Sequence, residues 1–390
     1  MKIHLGFLFL MIFGSSAVAA DRPLTYLEEY RVAQKLLGGG DSKGYLEHMK
    51  KAVELNDKPV NRPLFMYELA RAHAVNGNHA EAVDWLETLW NDRIESLMIS
   101  YADSDPFFKE TRARREYHRI GRLYMSLQIG VRHLGGNIKL LDGAGCSLVA
   151  SVGDDGILLV DTGYARGTPA IQRALQRQGR GTPVRYVRYI INTHEHEDHV
   201  GGNAELGKGA TIIAHAAVRD ALTKPQTFID GVVLAAKSEA MLADVDIRSS
   251  TTLHFNGEDI AIHPLPAHSG GDLIVYFPRS KVLHLGDNYF PGLRPLLDPG
   301  DQVDRYFETM DPLMKELPDD AKVVTGHSPV VEGRNLKEIY RKTSNVYRFV
   351  KAGKAAGKTL STLKKEGRVK DLKEEWVAFY YPRVGAAAKR

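Results

Sequence analysis

An apolar run that feeds straight into six consecutive imidazole and carboxylate side chains leaves a polypeptide few ways to fold. Val187 to Ile191 reads as a buried strand, and two residues later come His194, Glu195, His196, Glu197, Asp198 and His199. Burying such a cluster is costly unless a metal organises it, because the imidazoles and carboxylates otherwise compete for water and protons. Alternation along an extended or tightly turning backbone points His194 and His196 the same way to clamp one cation. Asp198 and His199 are left to reach a second. Imidazole plus carboxylate ligation favours zinc, and iron or manganese tolerate the same ligands. An exposed His-rich loop without an ion would suit an isolated His-X-His, but not this pattern behind a buried strand. Gly201 and Gly202 are expected to let the backbone turn tightly beneath the metals.

The surrounding sequence has three textures. From Leu24 to Tyr124, Leu, Ala, Glu, Lys and Arg recur at helical spacing, which predicts an all-helical region over 21–128. Two antiparallel helices are expected to meet across Asn76-Gly77-Asn78. Ala70, Ala82, Leu86 and Leu89 there repeat a pattern set by Ala33, Tyr45, Met49 and Ala52, each 37 positions earlier. Over 129–332 short β-prone runs appear at Ile138 to Leu141, Ser147 to Val152, Ile157 to Val160 and Ile212 to Ala214. Helical stretches at Thr168 to Gln178 and Asp301 to Leu317 separate or follow them. Alternating strands and helices predict an α/β layered domain. Over 333–390 a C-terminal helical extension is expected, in segments to about Lys354, at Ser361 to Gly367 and at Trp376 to Tyr381. Its basic residues from Lys351 to Lys373 read as a solvated helix face.

The cluster at 194–199 resembles the signature of the metallo-β-lactamase superfamily, and further residues carry the resemblance through to position 327. Asp161, in Leu-Leu-Val-Asp-Thr-Gly, resembles the family's strand-end aspartate, which supports the metal loop without being a ligand. His268, in Pro-Ala-His-Ser-Gly-Gly-Asp, resembles the third ligand of the first zinc. Asp287, in His-Leu-Gly-Asp, resembles the metal-bridging carboxylate, and His327, in Thr-Gly-His-Ser, the last ligand of the second zinc. The resemblance implies an αββα sandwich with the site at one edge of its two sheets. It also implies two zinc ions per chain, bridged by Asp287 and by a water ionised near neutral pH. Asp198 would orient that nucleophile while remaining a ligand. The expected reaction is hydrolysis of an ester, thioester, lactone or cyclic amide. The superfamily's cysteine-dependent β-lactamases carry a thiolate where this chain has Asp287, so its pattern is closer to the glyoxalase II, lactonase and alkylsulfatase-like branches. The helical region resembles tetratricopeptide repeats, though with fewer than the three units that solenoid stacking needs. It reads either as a docking surface for a protein partner or as a cap on the next domain's flank.

Three other histidines are weaker candidates for ligands. His263 lies inside the apolar run Ile260 to Leu265 and His284 precedes Asp287 in a strand, so both are expected to face away or support the site. His215 ends a strand and is read as a supporting or structural residue. Tyr289, Phe290 and Arg294 follow Asp287 closely and offer an aromatic wall and a carboxylate-binding guanidinium, or else ordinary loop packing.

Residues 1–20 read as a cleaved signal peptide: Lys2, an apolar run from Leu5 to Phe13, and the small residues Ala17-Val18-Ala19. That run is short of the ~20 residues a membrane span needs. A periplasmic or secreted protein with no membrane span after cleavage is expected. Its single cysteine, Cys146, sits in an expected strand and excludes an internal disulfide. With 52 basic and 48 acidic residues the charge is too balanced for a nucleic-acid partner, and the resemblance implies a small-molecule substrate.

Overall fold

The computed structural model describes residues 23–56, 62–92, 96–178, 186–229, 232–265, 267–289, 303–370 and 372–385. The expected signal peptide lies outside them. The chain divides into two compact units: residues up to Leu127 together with Lys224–Ala236, and Gln128–Thr223 together with the chain from Lys237 onward.

The first unit is built on helices α1 (Tyr26–Gly38), α2 (Ser42–Leu55), α3 (Arg62–Val75), α4 (His79–Asp92), α5 (Lys109–Arg112) and α6 (His118–Ser126). Thr25 and Glu28 form a capping box that starts α1, and the Asp41 carboxylate accepts from the Gly44 amide to start α2. Gly77, at φ 75, makes the expected turn between α3 and α4. All eight residues of the 37-residue pattern are fully buried, so the repeat reports equivalent interior positions of the pairs α1–α2 and α3–α4. α3 is buried from Pro63 to Ala74, yet it carries Glu68 and Arg71. The Arg71 guanidinium pairs with Glu68 at 3.3 Å and with Asp105 at 3.3 Å, all three fully buried. Gln34 donates to Glu68, Tyr67 donates to Asp105 at 2.9 Å, and Tyr45 donates to Glu68.

The second unit holds two sheets. Strands β1 (Gly130–Gly135), β2 (Ile138–Asp142), β3 (Leu148–Gly153), β4 (Gly156–Val160), β5 (Val187–Ile191) and β6 (Thr211–His215) come first. The hairpin β7 (Gln226–Ile229) and β8 (Val232–Leu234) belongs to the other unit, and β9 (Val245–Ile247) follows it. The first sheet has the order β1-β2-β3-β4-β5-β6-β9, antiparallel to β4 and parallel beyond. The second sheet, which sequence periodicity barely marked, runs in order through β10 (Thr251–Phe255), β11 (Glu258–Pro264), β12 (Leu273–Phe277), β13 (Val282–His284), β14 (Lys322–Val324) and β15 (Val331–Glu332).

Period-two alternation builds the core between the sheets. Leu158, Val160, Ile191 and Ile213 of the first sheet meet Ile260, Ile262, Val275 and Val324 of the second. On the second sheet's other side, Ile274, Leu283 and Val323 share a core with α7 (Val303–Glu316) and the C-terminal helices α8 (Gly333–Ala355), α9 (Leu360–Val369) and α10 (Glu374–Arg383). The expected C-terminal helices are part of this unit's packing; Phe307 stacks on Tyr347 with centroids 4.1 Å apart. No helix among the described residues is long and apolar enough to cross a membrane.

Candidate metal centre

The chemistry gathers where strands end. β4 delivers Asp161, β5 delivers 194–199, β11 leads to His268, β13 to Asp287 and β14 to His327. Five loops from two sheets therefore open on one edge of the sandwich.

All seven residues expected as ligands come together there. His194 Nε2 lies 2.8 Å from His196 Nδ1, and His268 Nε2 lies 3.2 Å from the same atom. Asp287 Oδ2 is 3.9 Å from His194 Nε2 and 3.6 Å from His268 Nε2, closing a first group of four. Asp198 Oδ2 lies 3.2 Å from His199 Nε2 and 3.0 Å from His327 Nε2, which makes a second group. Asp287 reaches this one too, with Oδ1 3.4 Å from His199 Nε2 and Oδ2 3.3 Å from His327 Nε2. One carboxylate sits between two cages.

The residues fit a pair of divalent cations. Both carboxylate oxygens of Asp198 and of Asp287, and Nε2 of His199, are buried without a hydrogen bond. Buried polar atoms normally have one, so several converging donors without it mark a place that needs a cation. The set of imidazoles and carboxylates suits zinc, iron or manganese.

The electrostatics of the first cage's imidazoles point the same way. Burial, reinforced by the His199 and His196 rings, holds His194 well below the usual imidazole range. Burial and the neighbouring His268 push His196 down to about 3, and burial lowers His268 to about 4. Neutral imidazoles are what a metal binds. Burial opposes charge on Asp198 and Asp287, but the surrounding histidines, His199 for the first and His327 for the second, keep both carboxylates ionised below their ordinary range.

Support around the cages is extensive. Asp161, fully buried at φ 62, accepts from the Thr193 amide at 2.7 Å and its hydroxyl at 2.8 Å, and pairs with His199 Nδ1 at 2.8 Å. A left-handed backbone at a non-glycine residue is strained, and here it aims the carboxylate that fixes the His199 tautomer. Asp272 organises the His268 loop by accepting from the amides of Ala267 at 2.9 Å and Ser269 at 2.6 Å.

Several expectations change in detail. Gly201 and Gly202 do not make a turn requiring positive φ; their φ values are −57 and −82. They are needed for close approach: a Cβ on Gly201 would meet Glu197 O at 2.6 Å, and one on Gly202 would meet Thr162 O at 2.5 Å. Cys146 precedes β3 rather than lying in it, and its thiol donates to the Asp198 carbonyl at 3.0 Å beneath the metal loop. Only the fold brings residues 146 and 198 together. Tyr289 is buried in the core with Tyr306 and Phe307, so its ring is used in packing, while Phe290 and Arg294 lie outside the described residues. His284 is buried, donates to Ser147 O at 3.0 Å and accepts from the Gly286 amide; His215 caps the helix Ala216–Leu222; His263 bonds Ser250. None of these three enters the cages.

Gly326 shows how tightly the second cage is built. A Cβ there would fall 1.9 Å from Asp287 Oδ1 and 3.1 Å from His199 Cε1. Gly326→Ala is expected to displace Asp287 and weaken metal binding by on the order of 10- to 100-fold, the range for residues that support a metal's ligands. Chelator competition on the full chain checks this, and an unchanged affinity would contradict the crowding.

Residues 142–327 match the metallo-beta-lactamase superfamily model. Among curated proteins, the 2,4-dinitroanisole O-demethylase subunit alpha of Nocardioides sp. (strain JS1661) is 30% identical over 149 residues, covering 37% of this chain and 41% of that one. The hydroxyacylglutathione hydrolase of Pelagibacter ubique is 28% identical over 145 residues, covering 36% and 52%. The chain thus spans about half the length of the curated relatives it matches. Among solved structures, the metallo-beta-lactamase from Pontibacter korlensis aligns at 17% identity with a TM-score of 0.42, covering 55% of this chain and 99% of that one. Two sheets with helices packed outside, a strand-end site and the matched segment agree: residues 142–327 form a metallo-β-lactamase superfamily domain.

Proposed function

We propose that this protein is an exported hydrolase that uses two metal ions to cleave an ester, thioester, lactone or cyclic amide. The observation that carries the reading is the pair of donor cages sharing Asp287. When bound, two cations supply Lewis acidity and a water ionised near neutral pH. The chain's own residues do the rest. Asp287 sets the separation of the cages, Asp161 and Thr193 hold the histidines in one tautomer, and Asp198 is placed to orient the nucleophile. Relatives named as hydroxyacylglutathione hydrolases support a thioester among the substrate classes. Export rests on the segment from Lys2 to Ala19.

In the alternative, the helices dock a partner and the metals serve stability alone. Structural zinc sites are normally closed and mononuclear, and seven donors in two cages disfavour that reading.

The test is a panel of chromogenic thioester, lactone and cephalosporin substrates on the metal-replete full chain. Turnover of at least one, lost on chelation and restored by zinc, is expected. Two tightly held metals with no turnover on any of them would overturn the hydrolase reading. Cell fractionation, with sequencing of the mature N-terminus, tests export separately.

A further inference from the structure

The metal loop has two rows of side chains. His194, His196 and Asp198 reach the cages, while Glu195 and Glu197, lying between them in sequence, reach other loops. Ser269, directly after the ligand His268, donates its hydroxyl to Glu195 at 2.9 Å. Glu197 forms an ion pair with Lys237, and both side chains are only 17% exposed. Lys237 is itself anchored by its backbone, its amide donating to Leu222 O at 2.8 Å. Glu197 occupies the first turn of the short helix Glu197–Val200, whose amides at His199 and Val200 bond back to His196 O at 2.9 and 3.0 Å. A pull on the Glu197 carboxylate is therefore transmitted to the backbone that aims His196 into one cage and Asp198 into the other.

We infer that Lys237 is a positioning residue for the metal loop, holding Glu197 so that His196 and Asp198 keep their aim. The inference rests on the two-metal reading above and adds a residue with no local sequence signal, 39 and 41 positions downstream of the two ligands it serves. A mostly desolvated ion pair with one anchored partner holds geometry in a way that a solvent-exposed pair does not.

Positioning and plain electrostatics predict opposite signs. Removing a cation beside two dications tightens metal binding if Lys237 acts only through its charge. If it positions the loop, removal loosens binding. Lys237→Met in the full chain is expected to weaken zinc binding by on the order of 10-fold or more, read by competition with a chromophoric chelator. Lys237→Arg should restore most of the loss. Glu197→Met should weaken binding similarly, and the double variant Glu197→Met/Lys237→Met should be no weaker than the worse single variant, because the two act through one contact. Unchanged or tighter zinc binding in Lys237→Met, or strict additivity in the double variant, overturns the inference. If the unsubstituted chain takes up no zinc, the two-metal reading itself fails, so the two failures are told apart.

Discussion

Asp287→Ala is expected to empty both cages and abolish hydrolysis, leaving the helical unit folded. Its carboxylate is fully buried and lies within 3.3 to 3.9 Å of ring nitrogens from His194, His199, His268 and His327. It is the carboxylate that lies against ring nitrogens of both donor groups. Removing it leaves three imidazoles in the first cage and two imidazoles with Asp198 in the second, with no carboxylate shared between them. The loss of activity should exceed the roughly 10- to 100-fold typical of residues that only support a metal's ligands. Metal analysis and turnover on the same preparation check this, with far-ultraviolet circular dichroism reporting on the helices. Two metals retained in Asp287→Ala would remove it from the bridging position.

Arg71→Met is expected to destabilise the helical unit by about 3–5 kcal/mol, because it leaves the carboxylates of Glu68 and Asp105 buried without their cation. Tyr45, Tyr67 and Gln34 still donate to them, but hydrogen bonds from neutral groups do not neutralise two charges in a low-dielectric interior. Arg71 also lies over the Phe107 ring, 4.3 Å from its centroid, so the loss includes packing. Urea denaturation of the full chain, followed by circular dichroism, reads the effect as an earlier helical transition. An unshifted midpoint would mean that the triad carries no net stability. A triple variant replacing Arg71, Glu68 and Asp105 with apolar residues should recover part of the loss, since no bare charge then remains buried.

Much of this was legible in the sequence, and the exceptions have physical causes. The ligand cluster was readable because its residues crowd six positions behind a strand, and β5 and the helix Thr168–Gln178 run over the residues expected of them. His268, Asp287 and His327 were found through a family resemblance, since spacings of tens of residues say nothing about proximity by themselves. The second sheet was harder to read because β13 and β14 are three residues each and buried throughout or nearly so, which hides any alternation. Cys146 and Lys237 were missed for a different reason. Each meets the metal loop only through tertiary folding, and neither carries a local pattern. Tyr289 shows the reverse: closeness in sequence to Asp287 left a substrate wall and ordinary packing both open, and burial assigns the ring to the core.

Metal content of the purified full chain, measured by plasma mass spectrometry after zinc loading and removal of loosely held ions, tests the central claim most directly. Two equivalents per chain, with Asp287→Ala retaining neither, is the predicted result. A stoichiometry of one or less in the unsubstituted chain would contradict a shared carboxylate between two cages, and with it the hydrolytic centre built on them.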